Sequence, residues 1–338
     1  MRPSLLELLR CPVCLAEATL SLRNPSGTAI EVIGGEMECG SCKRRFPLLQ
    51  GTCDLCPNPS PIGERELAAQ QAVEDRTLAE SRDYADLVRD EERLRTFICS
   101  LPEGFATTAE QASVVRWALD RLAPRPGDVA LDVGAGMAWT TAMLADHGCR
   151  AVAVDISRLY LPRSRFLQNE SRYFDRVLGD MTALPVASQK FDIAFANAAL
   201  HHSPDLGRTF VEIARALKPG GRAVFVNEPV AGHYERKRVE NFGKEESADG
   251  FNEHIYRVRE WRALARTAGL DLRFEISTAG IAEKIAARRK QAARLPLSRR
   301  LAYAALGNPA LRSALITAIG PLALRLYPFN VVMWAQKP

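Results

Sequence analysis

Residues 128–157 show the clearest alternation of apolar and polar positions in the chain. Val129, Leu131 and Val133 read as a short apolar strand. Gly134 and Gly136 follow, then a helix over residues 140–147 closed by Gly148. Residues 151–154 form a second buried strand with Asp155 at its end. The scheme then repeats. Residues 177–180 predict a third strand and 193–197 a fourth. A helix over 206–217 ends at Lys218-Pro-Gly-Gly221, and 222–227 give a fifth strand. A helix over 158–166 begins after the second strand, shortened by Pro162. After a helix over 258–268 come strands at 270–277 and 329–336. Strands alternating with helices predict an α/β fold whose parallel sheet carries helices on both faces. Upstream, apolar residues recur at helical spacing over 64–95 and 109–122.

The first 57 residues follow another pattern. Cys11-Pro-Val-Cys14 and Cys39-Gly-Ser-Cys42 are two C-x-x-C pairs with 24 residues between them. Each pair sets two thiolates on one turn, and two pairs complete a tetrahedral zinc ion. Four sulfurs leave no open position, so this zinc would fold the module and not catalyse. Between the pairs, 31–33 and 36–38 flank Gly34-Gly35 and predict a hairpin. A third pair, Cys53 and Cys56, lacks a partner pair, since Cys99 and Cys149 stand alone. It reads as a structural or incidental feature, with a second metal half-site, an alternative ligand pair or a redox pair as the alternatives. A proline-rich stretch at 57–63 marks a boundary. The domains expected are 1–57, a zinc ribbon; 58–108, a helical linker or lid; and 109–338, the α/β domain.

An Asp at the end of the second strand, about 20 residues past a glycine turn, is placed to accept from ribose hydroxyls. The dinucleotide fingerprint requires a third glycine where Trp139 stands, which argues against NAD. Asp132, Gly134 and Gly136 instead resemble the acidic-G-x-G-x-G motif of class I S-adenosylmethionine (SAM) methyltransferases, with Ala138 in place of the last glycine. The resemblance extends over 109–276 and the last strand, through the Lys218-Pro-Gly-Gly221 turn. It implies a Rossmann-like seven-stranded sheet with the last strand antiparallel. It also implies cofactor contacts from Asp132, Gly134, Gly136, Asp155, Ile156, Asp180, Met181 and Asn197. Residues 1–57 resemble the zinc-ribbon activator subunit of tRNA, rRNA and release-factor methyltransferases. Zn(2+) at Cys11, Cys14, Cys39 and Cys42 fits that resemblance.

The methyl of SAM is already activated, so the protein must mainly align nucleophile and methyl. A hydroxyl acceptor also needs a base, and His254, with Glu228 second, is placed for it after the fifth strand. Glu253, Tyr256, His201 and His202 are the candidates for holding the acceptor. The leading reading is an enzyme, a SAM-dependent methyltransferase acting on oxygen or nitrogen of a small molecule such as a saccharide or specialised metabolite. RNA methylation is the second, with Lys43, Arg44 and Arg45 facing phosphate, and a non-catalytic SAM-binding activator the third. Arg2, Glu7 and Arg10 interrupt any leading apolar run, so no signal peptide and a cytoplasmic place are expected. The apolar fraction of 47% suffices for a full core, and the net charge of +5 allows an anionic partner without requiring one. Residues 278–328 form an insertion. Its first half is basic (Lys284, Arg288, Arg289, Lys290, Arg294, Arg299, Arg300) and its second apolar (Leu311, Leu315, Ile316, Ile319, Leu322, Leu324, Leu326). It reads first as a helical hairpin packed on the sheet or across a homodimer, and second as a peripheral contact with an anionic membrane surface.

Overall fold

The structure is a computed structural model and describes residues 1–28, 30–100, 109–233, 235, 250–289, 304, 306–326 and 328–338. In the α/β part, β5 (Val129–Val133), β6 (Arg150–Asp155), β7 (Phe174–Leu178), β8 (Phe191–Asn197) and β9 (Leu217–Val226) are parallel neighbours. Two further strands are β12 (Arg273–Ile276) and β13 (Val331–Gln336). The order is β7-β6-β5-β8-β9-β13-β12, with β13 antiparallel to both neighbours. This is the seven-stranded sheet expected. The central strands are apolar on both faces because helices cover both sides.

The ribbon consists of β1 (Leu20–Gly27), β2 (Val32–Cys39), β3 (Arg45–Leu49) and β4 (Thr52–Asp54). It extends the large sheet. β4 pairs in parallel with β7, Cys53 opposite Val177, making one sheet of eleven strands among the described residues. Leu5, Leu9, Met37, Phe46 and Leu48 share one apolar core with Val177, Leu184 and Phe191. Arg10 crosses this junction buried, donating to the Leu184 carbonyl at 3.0 Å and pairing with Glu212. Arg176 does so from the other side, donating to the Gln50 carbonyl at 2.7 Å. A ribbon this small buries little by itself, and an open strand edge is a pairing template.

The expected hairpin at Gly34-Gly35 is absent. β2 runs straight through both glycines, and Gly35, at φ +129°, lies in the irregular stretch of its pairing with β1. The turn lies earlier, where Thr28 accepts from the Glu31 amide at 2.9 Å. The helix expected over 158–166 shrinks to a single turn at Tyr160–Arg163 and a 3-10 turn at Ser164–Leu167, because Pro162 has no amide to donate.

Four helices precede β5: α1 (Pro61–Glu80), α2 (Arg82–Arg89), α3 (Glu91–Cys99) and α4 (Ala109–Leu122). Among the described residues, four more lie between β5 and the insertion: α5 (Trp139–Asp146), α6 (Tyr160–Arg163), α7 (Leu206–Ala216) and α8 (Val258–Thr267). Short strands β10 (Val230–Ala231) and β11 (Tyr256–Arg257) pair beside them. In the insertion, α9 (Thr278–Arg289) packs on α4 and α10 (Pro309–Leu326) on β12. Lys290, Arg294, Arg299 and Arg300 of its basic half lie outside the described residues. No described helix is long and apolar enough to cross a membrane.

Candidate active site

The carboxyl ends of β5 and β6 are locked together by the glycine turn. Gly134 and Gly136 adopt φ of +69° and +55°, a region that costs other residues a Cβ clash. The Gly136 amide donates to Asp155 Oδ2 at 2.7 Å, and the Ser157 amide donates to Oδ1 at 2.7 Å. A Cβ on Gly134 would meet the Ala199 Cβ at 2.5 Å, whereas one on Gly136 would meet nothing within 4 Å. The turn therefore packs on one side and opens into space on the other.

That space is a cavity of about 260 Å³ lined by Gly134, Gly136, Asp155, Ile156, Asp180 and Met181, among others. A second cavity of about 230 Å³ shares Gly134, Gly136, Tyr160 and Ala198 with it and adds Trp139 and Asn197. Seven of the eight predicted cofactor residues thus line one connected hollow. Asp132 does not. It is fully buried beneath the turn, accepting from the Thr141 hydroxyl at 2.6 Å and from that of Thr140. Burial pushes its carboxyl up to about 6, against the pull of the two hydroxyls. Its Oδ1 has no hydrogen-bond partner among the described residues. An orphaned carboxylate oxygen under an open glycine turn suits a ligand carrying positive charge above it. An acidic strand end for a ribose, Asp180 beside Met181 for an adenine and Asp132 toward a cationic amino acid tail together fit SAM.

The opposite wall comes from a segment whose part the sequence left open. Ser60, Ile62, Gly63, Glu66 and Gln70, at the start of α1, line the first cavity. Ser60 caps the helix, accepting from the Gly63 amide at 3.1 Å. Gly63 brings the helix against β6, since a Cβ there would lie 2.7 Å from Ile156 Cδ1. Ser-Pro followed by a glycine is the signal in the sequence for a capped helix start making a close approach. Tyr160 and Phe251, also missed, complete the lining.

His202, Glu66, Pro204 and Phe251 line the same cavity. His202 Nδ1 lies 3.4 Å from Glu66 Oε1, and the Glu66 carboxylate accepts from the Asn252 amide at 3.0 Å. Burial, then the neighbouring His201, pushes His202 down to about 4, so it is neutral at pH 7. Burial raises Glu66. His201 stacks on His202 with ring centroids 4.2 Å apart. His201, His202 and Glu253 bring ligand-capable atoms within 4.8 Å of one another.

The two residues read as the base lie elsewhere. Glu228 is buried behind this wall, where it accepts from the amides of Ala199, Leu200 and His201 and from His201 Nδ1 at 2.8 Å. Burial works against its charge, but His201 and those amides outweigh it and hold the carboxyl below its ordinary value. With four donors on it, Glu228 positions the 199–202 turn and has no lone pair aimed at the cavity. His254 is exposed and does not line the cavity; its amide donates to the His201 carbonyl at 3.0 Å and its ring lies 5.9 Å from that of Tyr256.

The four predicted metal ligands converge. Cys11 and Cys42 Sγ lie 3.6 Å apart, as do Cys14 and Cys39, and all four sulfurs fall within 4.8 Å of one another. Tetrahedral zinc at about 2.3 Å from each sulfur requires separations of about 3.8 Å, so the cage fits. Cys53 is buried against Met1, its thiol pushed up to about 12 by burial, and belongs to the core.

Residues 131–225 match the family described as a methyltransferase domain, and residues 2–51 match Trm112p-like protein. The chain is 32% identical over 158 residues to a demethylmenaquinone methyltransferase of Mycobacterium sp. (strain JLS), covering 44% of this chain and 66% of that one. It is 35% identical over 101 residues to a malonyl-[acyl-carrier protein] O-methyltransferase of Pseudescherichia vulneris, covering 30% and 39%. A bifunctional biotin biosynthesis protein of Cellvibrio japonicus is 37% identical over 93 residues, 28% of this chain and 18% of its own. The chain thus spans less than two thirds of the length of each of these relatives. Among solved structures, a complex of the Haloferax volcanii Trm112 methyltransferase activator with a putative methyltransferase matches at TM-score 0.49 and 19% identity, covering 68% of this chain and 89% of that one.

Proposed function

We propose that this chain, a methyltransferase domain built onto its own Trm112p-like domain, methylates oxygen or nitrogen of a small-molecule acceptor. The observation that carries the reading is the continuous cavity running from the glycine turn and Asp155 to the Glu66–His202 pair. Bound SAM supplies a methyl group already activated for displacement. Gly134 and Gly136 admit the cofactor, Asp155 and Asp180 orient it, and α1 excludes water from above. His202, beside Glu66, is in position to take the acceptor's proton, with its pKa lowered to about 4 by burial and His201. Glu228 sets the height of that histidine by holding the turn on which it stands. The names of the curated relatives, which act on a quinone precursor and an acyl carrier conjugate, support a metabolic acceptor. The RNA reading loses one of its three cations, because Arg45 is engaged by Glu38 at 3.1 Å and Glu36 at 3.7 Å.

Incubation of the full chain with methyl-labelled SAM and fractionated cell extract tests this. Label is expected in the small-molecule fraction. Label confined to RNA or protein overturns the acceptor class, and S-adenosylhomocysteine binding without any transfer points to an activator.

A further inference from the structure

Helix α10 is apolar on two faces, yet only one is covered. Ile316, Gly320 and Leu324 face the sheet and line the crevice beside β12. Leu311, Leu315, Ile319 and Leu322 form a row on another side, each between 41% and 57% exposed. A helix apolar all round is ordinarily buried, so this row lacks a partner among the described residues. The helix also borders a groove of about 810 Å³. Arg257, Arg259, Arg262, Arg266 and Arg325 line that groove, and no carboxylate does among the described residues. Arg257 and Arg266 have acidic neighbours, Glu260 at 3.5 Å and Asp271 at 4.0 Å. Arg259, Arg262 and Arg325 form no ion pair among the described residues, and Arg262 leans on Phe274 with its guanidinium 5.0 Å from the ring centre. Leu324 and Arg325 join the two features.

We propose that this face docks on an anionic phospholipid surface, with α10 lying in the interface and the arginine groove receiving lipid phosphates. An aliphatic row beside a cationic groove matches a membrane surface in both respects: acyl chains take the row, phosphates the arginines. Nucleic acid would satisfy the arginines but leave four aliphatic side chains in water, and single-strand recognition relies on aromatic stacking, for which the described groove lining has, of Phe, Tyr and Trp, Phe274 alone, already in contact with Arg262. A second copy of the chain would cover the row but bring a like-charged groove with it. The charge comes mainly from α8, so the basic half of the insertion is not required. The groove is also walled by Ala231 and Arg257, of the β10–β11 pair next to Glu228 and Tyr256, which sets an anchored molecule near the acceptor end. Docking itself does not depend on the proposed methyl transfer.

Co-sedimentation of the full chain with vesicles of phosphatidylcholine, alone or mixed with phosphatidylglycerol, tests the surface. Binding is expected only with phosphatidylglycerol present and should weaken as salt is raised. Arg259→Gln with Arg325→Gln should weaken it about fivefold per charge. Leu315→Glu with Leu322→Glu should abolish it. All four side chains are exposed, so melting temperature and S-adenosylhomocysteine binding should stay unchanged in both variants. Absence of pelleting, or pelleting that neither variant reduces, overturns the proposal. So does a dimer in sedimentation velocity that the Leu315→Glu, Leu322→Glu variant dissociates, or RNA binding that the arginine variant removes while vesicles never bind.

Discussion

The two ends of the cavity are built by different means. At the cofactor end, backbone does most of the work: two glycines at positive φ and the ends of parallel strands, drawn from residues 131–181. At the end proposed for the acceptor, side chains from distant segments meet, Glu66 from α1, His202 from the turn after β8, and Phe251. Backbone geometry follows from strand order and tolerates little change. A meeting of side chains depends on how separate elements pack, and there one chain can differ from its relatives while keeping the same sheet.

The cofactor end leans on the ribbon. Asp180 and Met181 follow β7, and β7 is paired on its outer edge with β4. Structural zinc in small modules contributes about 10–16 kcal/mol, comparable to the whole stability of a domain at about 5–15 kcal/mol. Removing the metal with a strong chelator, or replacing Cys39 with Ser, should therefore unfold the ribbon and abolish S-adenosylhomocysteine binding along with it. Elemental analysis should find one zinc per chain beforehand. Unchanged calorimetric binding by metal-free protein would show that the cofactor end stands without its outer strands.

Gly134→Val attacks the same end from within. The new Cβ meets that of Ala199 at 2.5 Å in a backbone region unfavourable to valine. An expected loss of about 3 kcal/mol corresponds to S-adenosylhomocysteine binding weaker by about a hundredfold. Gly220→Val is the control: its φ is similarly positive, at +75°, but nothing lies within 4 Å of its Cβ position. If both variants bind the ligand equally, the close approach at Gly134 is irrelevant.

The cofactor end was legible in the sequence for the same reason that it is fragile. Glycines after an apolar strand and an acidic residue at the end of the next one have few structural uses, and they lie close together in the chain. The cysteine cage was legible because spacing alone puts two thiolates on each turn. Asp132 was read as a contact; its carboxylate lies beneath the turn, with Oδ2 tied to Thr140 and Thr141 and Oδ1 without a hydrogen-bond partner among the described residues. His254 and Glu228 were chosen because they follow β9, but position along the chain does not reveal which way a side chain faces. Nor did any pattern announce that Glu66 of α1, in what reads as a solvated charged helix, turns inward 3.4 Å from His202. The ribbon's fusion to the sheet edge was hidden for a similar reason, because a three-residue strand at 52–54 carries no periodicity.

At the acceptor end the prediction is a split between binding and turnover. His202→Asn and Glu66→Gln should each lower turnover by about 10²-fold, the usual worth of a placed base. S-adenosylhomocysteine affinity should stay nearly unchanged in both. His254→Ala should leave both properties close to those of the parent. The reverse pattern, a large loss of turnover with His254→Ala and none with His202→Asn, would return the base to the residue singled out from the sequence.

The smallest effect concerns stability. His202 titrates near 4 when folded and near its ordinary 6.5 when unfolded, because burial and His201 disfavour its charge. Between those values the unfolded chain holds a proton that the folded chain lacks, so stability is complete above about 6.5 and is lost as pH falls toward 4. The full span is worth roughly 3 kcal/mol. Asp132, raised to about 6, acts in the opposite sense, gaining stability on acidification, and Glu66 is raised as well. The net curve of the parent is thus uninformative, and the useful quantity is the difference between parent and His202→Asn. Denaturant midpoints at matched pH should coincide in trend above pH 7, then shift in favour of the variant as pH drops. Parallel curves across the range would mean that His202 charges freely when folded, and that the wall of the acceptor end is wetter than its packing implies. A pKa near 4 keeps His202 neutral across the neutral range but makes it a weak base, so the proposed proton transfer requires that the bound acceptor lift that value toward the ordinary one.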